Sequence, residues 1–148
     1  MLTKPRHTRY QGAIIQEGHI LLIQHHFHAD DARYWLIPGG GLEPDETEEA
    51  CVAREMREET HLEVRVERLL LHEAAHAEDT TYYFYKTYLC RPLSGEAKPG
   101  YEPEPDAASA YTIAQVKWFN LHDEANWDAG LKSDPITYPL LKRICAAL

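Results

Sequence analysis

Long apolar runs are missing from this sequence. The longest aliphatic stretches, Ile20 to Ile23 and Leu69 to Leu71, are far too short to cross a bilayer. The opening residues, MLTKPRHTRYQG, are polar and lack the apolar centre of a secretory signal. Cysteine is scarce as well. Cys51, Cys90 and Cys145 form neither a CxxC pair nor an even framework, which excludes a disulfide scaffold and suits reduced thiols in the cytoplasm. Positive charge is also short: 15 Lys and Arg stand against 24 Asp and Glu, a net charge of −9. A protein that tracks a long nucleic-acid backbone carries the opposite balance. An anionic small molecule stays open, because a bound divalent ion inverts the local field. No internal repeat or low-complexity tract stands out.

What is present suits a soluble, cytoplasmic protein with no membrane partner. A hydrophobic content of 44% and a charged content of 26% are ordinary for a globular chain. Residues 1–148 are expected to form one domain with a real core. Arg9 to Gln16 and His19 to His26 read as two strands joined at Glu17-Gly18, and Trp35-Leu36-Ile37 reads as a short strand stopped by Pro38 and Gly39. Glu63 to Ala77 and Thr80 to Cys90 read as a long antiparallel pair turning at Glu78-Asp79. Residues 91–110, punctuated by proline and glycine, read as a long loop. A further strand is expected over Tyr111 to Leu121, with Trp118 and Phe119 in the core. Helices are expected over Leu121 to Trp127 and Ile136 to Leu148.

Between these elements lies the densest chemistry, GGGLEPDETEEACVAREMREETHL from Gly39 to Leu62. A glycine turn opens it and a helix follows. Thr47 is a suitable cap, and Asp45, Glu46, Glu48 and Glu49 put negative charge at the positive end of the helix. Val52, Ala53, Met56 and Thr60 form the core stripe. Glu55, Glu58 and Glu59 fall together on an adjacent face. Their mutual repulsion suits either a solvated surface or a hard cation such as Mg²⁺ or Mn²⁺.

This stretch resembles the Nudix hydrolase signature. Gly40, Glu46, Arg54, Glu55, Met56, Glu58, Glu59 and Leu62 fill its positions in register, with His61 where the family usually has glycine. That glycine ends the helix in a left-handed conformation, which His can adopt at modest cost. The resemblance implies an α/β (α+β) fold, the Nudix α/β/α sandwich with a mixed central sheet. It implies a pyrophosphohydrolase using Mg²⁺, or Mn²⁺, held by Glu55, Glu58, Glu59 and the backbone carbonyl of Gly39. Such ions would neutralise the phosphate oxygens and activate water. Arg54 would pair with an acid such as Glu46 and hold the helix against the loop. The general base would be Glu58 or a loop acid, for which Glu102 and Glu104 are candidates. Arg33 could reach a phosphate.

The implied partner is a small nucleotide-type substrate, and a homodimer is left open. Family members that cleave ADP-ribose often carry a proline shortly past the motif, yet no proline lies between Pro44 and Pro92. A nucleoside triphosphate or modified dNTP is therefore the default. Two other classes compete. One is a Nudix-like regulatory domain that binds a nucleotide without turning it over, against which all three helix glutamates count. The other is a zinc protease through His72-Glu73-Ala74-Ala75-His76, which matches HExxH. That motif needs helical spacing, and the alternation of Glu63 to Glu67 favours strand, where the two histidines stand ~13 Å apart. His25, His26 and His28 offer no better metal site, because His25 and His26 point to opposite faces of a strand.

Overall fold

The computed structural model describes residues 7–101 and 110–148. Its first hairpin joins β1 (Thr8–Gln16) to β2 (His19–Phe27). Glu17 and Gly18 both take positive φ, 50° and 75°, as a tight turn between twisted strands requires. The two strands pair only beside this turn, at Ile15↔Ile20 and Gln16↔His19, and then part.

Each takes other partners. β1 runs parallel to β6 (Phe84–Ser94) from Thr8↔Phe84 to Ile14↔Cys90, and β6 pairs antiparallel with β5 (Glu63–Ala74). β2 pairs antiparallel with β7 (Tyr111–Asn120) along its whole length and with β3 (Arg33–Leu36) on its other edge. A short β4 (Gly39–Gly40) closes against Tyr10 and Gln11. Among the described residues the result is a mixed sheet of seven strands that opens into two wings.

Alternation along β1 sorts the core. Ala13 and Ile15 face one cluster with Leu22, Trp35, Ile37 and Phe119, beneath α2 (Ala129–Lys132) and α3 (Thr137–Ala147). Ile14 faces the other, with Leu21, Val52, Met56, Val64 and Cys90, beneath α1 (Glu48–Thr60). Helices on both sides of a mixed sheet give the expected α+β architecture. No helix among the described residues is long and apolar enough to cross a membrane.

Four local expectations are corrected. Residues 91–94, expected in the long loop, continue β6 opposite Glu63 to Arg65. Leu121 to Trp127 is not an α-helix but a turn with a 3-10 segment at Glu124–Asn126, followed by α2. Side chains compete for the backbone there: Asn120 Oδ1 accepts the His122 N–H, and the Trp127 indole donates to the Asn120 carbonyl at 2.7 Å. The second strand of the long hairpin begins at Phe84, not Thr80, because the Asp79 carboxylate takes the N–H groups of Thr81 and Tyr82 into a polar turn. Of the aromatic pair on β7, Phe119 is buried in the core while Trp118 is only half-buried at the edge of the other cluster.

Candidate active site

The site is built around α1. Thr47 accepts the Ala50 N–H at 3.1 Å and starts the helix; His61 ends it in the left-handed region, φ 65°, its N–H donating to the Arg57 carbonyl. Val52, Met56 and Thr60 are buried as expected, while Ala53 is half-buried and Cys51 joins the core. Glu55 and Glu59 are not solvated: they are 4% and 1% exposed.

Burial of carboxylates demands partners. The Glu59 Oε1 accepts the Gly39 N–H at 2.7 Å. Arg54 reaches several acids at once. It donates to both oxygens of Glu46 at 2.7 and 2.9 Å, to Glu55 at 2.9 Å, to Glu58 at 3.2 Å and to the Gly41 carbonyl at 3.0 Å. Hydrogen bonding to Arg54 holds the Glu46 carboxyl below its usual range. Burial nevertheless pushes Glu55 up to about 7, with Arg54 opposing and Glu58 adding to the rise. Gly40 packs directly on this carboxyl: a Cβ at that position would stand 2.4 Å from Glu55 Oε1, so the carboxylate would have to shift.

Among the described residues no three His, Cys, Asp or Glu side chains converge on one point. The Arg54 guanidinium lies between Glu55 and Glu58 instead. The residues nonetheless suit a hard dication: every charged donor in the set is a carboxylate, and two of them are buried.

Gly39 and Gly40 are also part of the wall of a cavity of about 820 Å³ that opens where the wings of the sheet part. Carboxylates and cavity thus share a thin glycine partition. Arg9 lies on the cavity side, bonded to Gln11 at 3.1 Å and to the Ile37 carbonyl at 2.9 Å. Burial works against its charge, but the fields of Tyr82, Glu59, Tyr111 and Glu55 outweigh it. Further out the lining is aromatic. Phe27 meets Tyr34 edge-on at 5.5 Å and Tyr111 at 5.4 Å, and Tyr111 stacks on His25 at 4.0 Å. A register shift between Gln24 and His25 against β7 accompanies the burial of both adjacent side chains. His25 Nε2 has no hydrogen-bond partner among the described residues, and burial followed by the Arg9 charge lowers its pKa to about 3.

The other sequence candidates fall elsewhere. Arg33 is exposed, donates to Gln24 Oε1 at 3.3 Å and does not line the cavity; Arg9 is the guanidinium there. Glu102 and Glu104 lie outside the described residues. His26 bonds to Asp31 on the outer face of β2. His72 and Glu73 lie within strand β5, opposite Lys86 and Tyr85, so the HExxH spacing has no helix to act on.

Arg9, Gln11 and the aromatic lining had no place in the sequence expectations for the site, and His25 stood there only as one of three histidines set aside as a metal site. One signal was available: Arg9 and Gln11 stand on the face of β1 that continues as Ala13 and Ile15. Polar residues that extend an apolar face mark a place where the core gives way to a site.

Known proteins share this architecture and motif. A model of the NUDIX domain matches residues 6–139. A stretch of 55 residues is 44% identical to the CTP pyrophosphohydrolase of Escherichia coli K12, covering 36% of this chain and 41% of that protein. Another, of 85 residues, is 36% identical to a MutT-like protein of Streptomyces ambofaciens, covering 57% and 51%. The matched stretches span about half or less of these relatives' length. An ADP-ribose pyrophosphatase structure from Streptococcus suis superposes with a TM-score of 0.65 at 27% identity, covering 95% of this chain and 90% of that one. A NUDIX hydrolase from Nitrosomonas europaea superposes at 0.69 with 19% identity over 97% of this chain and 72% of that one, a likeness of fold alone. Sheet, acidic helix and matched domain agree, and the chain belongs to the Nudix family.

Proposed function

We propose that this chain is a pyrophosphohydrolase that cleaves within the phosphate chain of a nucleoside triphosphate or a related nucleoside diphosphate derivative. One observation carries the reading: buried and half-buried carboxylates of α1 stand directly behind a glycine wall shared with a large aromatic-lined cavity. Glu55, Glu58, Glu59 and the Gly39 carbonyl would hold Mg²⁺, with Mn²⁺ as a substitute. When bound, the cation supplies neutralisation of the diphosphate charge and Lewis-acid activation of water.

The protein's own residues divide the remaining work. Arg9, a permanently charged guanidinium on the cavity wall, suits a phosphate oxygen at the inner end of the cavity. Phe27, Tyr34 and Tyr111 suit the faces of a planar heterocycle. His25, held neutral, suits an uncharged edge of that heterocycle better than a second phosphate. Arg54 tethers Glu55 and Glu58 to the loop through Glu46, and a glutamate, Glu58 or a loop acid, serves as general base.

Two of the similar proteins point the same way. The E. coli protein is a CTP pyrophosphohydrolase and the streptococcal one an ADP-ribose pyrophosphatase, and both descriptions carry a diphosphate linkage and a nucleoside. The test is nucleotide or phosphate release with Mg²⁺ over a panel of NTPs, modified dNTPs, NDP-sugars and dinucleoside polyphosphates. Selective cleavage of nucleoside triphosphates supports the reading. Nucleotides that bind but are never cleaved would favour a regulatory domain.

A further inference from the structure

The last carbonyls of a helix have no partner within it, and α1 ends on the residues that carry its acidic side chains. Here the chain supplies the missing donors from a distance. The N–H of Tyr101 donates to the Glu58 carbonyl at 3.0 Å, that of Gly100 to Glu59 at 2.9 Å, and that of Lys98 to Thr60 at 3.0 Å. Pro99, between them, has no N–H to give. Residues 98–101 therefore lie along the final turn of α1, bonded to the backbone of two of the three proposed cation ligands.

The approach is closer than any side chain allows. A Cβ at Gly100 would stand 1.9 Å from the Glu58 oxygen, 2.7 Å from the Glu59 carbonyl carbon and 2.8 Å from that of Glu58, where ordinary contact is 3.4–4 Å. All three conflicts are with backbone, so no rotamer relieves them. Either the segment or the last turn of α1 must move. Gly130, by contrast, has nothing within 4 Å of its ideal Cβ.

We propose that Gly100 is a positioning residue for the α1 carboxylates: it lets residues 98–101 seat on the helix end and so fixes where Glu58 and Glu59 stand toward a divalent cation. The inference rests on the reading of Glu55, Glu58 and Glu59 as cation ligands. It concerns the backbone beneath them, which the family motif does not contain, since Gly100 lies well outside Gly40 to Leu62.

Mn²⁺ binding, followed by electron paramagnetic resonance without substrate, tests it, with cation-free thermal unfolding beside it. Four variants are compared with wild type: Gly100→Ala, Gly95→Ala, Gly130→Ala and Glu58→Gln. Gly95 belongs to the same loop, at φ 97°, and its Cβ would meet the His61 carbonyl at 2.7 Å, beyond the carboxylates. Gly100→Ala is expected to weaken Mn²⁺ binding about tenfold or more. Gly95→Ala is expected to lower the unfolding temperature and keep wild-type affinity, and Gly130→Ala to change neither.

Wild-type affinity in Gly100→Ala overturns the inference while the ligand reading stands. So does a parallel loss in Gly95→Ala, which would reduce the role to stability. Equal Mn²⁺ binding by wild type and Glu58→Gln removes the ligand reading itself, and this inference with it. Should Gly100→Ala fail to fold, Tyr101→Pro deletes the N–H donated to Glu58 without adding a Cβ at Gly100, and the same tenfold loss is required of it.

Discussion

Two stretches of this chain match metal-site patterns, and they end in opposite circumstances. On α1, Glu55 and Glu59 are buried, and Arg54 bonds Glu55, Glu58 and Glu46 into one network behind the Gly39–Gly40 wall of the cavity. On β5, His72 is exposed, Glu73 is taken by Arg143 at 2.8 and 3.0 Å, and the His76 ring accepts the Glu78 N–H beyond the strand end. The spacing of each motif was equally correct on paper. Spacing acquires meaning only through the period of the element that carries it: a helix brings residues three and four apart onto one side, whereas a strand keeps residues four apart far from a shared ligand.

The contrast breaks most sharply in activity. Glu58→Gln is expected to reduce Mg²⁺-dependent turnover by about two to three orders of magnitude, while Glu73→Gln leaves it unchanged. Next comes stability. Arg54→Ala strands buried carboxylates and is expected to cost about 3–5 kcal/mol in urea denaturation, whereas Arg143→Ala, which breaks an exposed pair, costs about 0.2–1 kcal/mol. A smaller effect separates the glycines. Gly40→Ala drives a methyl against Glu55 and is expected to lower turnover by about tenfold to a hundredfold, measured at saturating Mg²⁺.

A last comparison, in pH dependence, separates two strand histidines. Folded His25 stays neutral down to about pH 3, whereas the unfolded chain protonates it near its ordinary 6.5. Protons then favour the unfolded state, so stability falls as pH drops from about 6.5 toward 3, by up to about 1.4 kcal/mol per unit. His25→Asn is expected to flatten this acid limb in denaturation curves, and replacing the exposed His72 is expected to leave it in place.

What could be read from the sequence was what is local. The Glu17-Gly18 hairpin, the Thr47 cap, the left-handed His61 and the in-register motif all depend on residues a few positions apart. The unread features are set by contacts across the fold. Nothing near Arg9 announces that β1 will run parallel to a strand beginning at Phe84, which brings Tyr82 and Tyr85 to the cavity. Nothing near His25 announces the register shift against β7 or the stacked Tyr111. Leu121 to Trp127 had helical composition, but side-chain bonds from Asn120 and Trp127 took the backbone elsewhere. The burial of Glu55 and Glu59 was hidden for a related reason. Amphipathic periodicity treats a carboxylate as a surface residue, and only Arg54 and the glycine wall reverse that.

The central claim is that the α1 carboxylates hold the cation used in cleavage. Its most direct test assays wild type, Glu58→Gln and Glu73→Gln together on one cleaved nucleotide across a Mg²⁺ titration. Turnover is expected to require Mg²⁺, to be nearly lost in Glu58→Gln and to stay intact in Glu73→Gln. Equal Mg²⁺-dependent turnover in wild type and Glu58→Gln would contradict it.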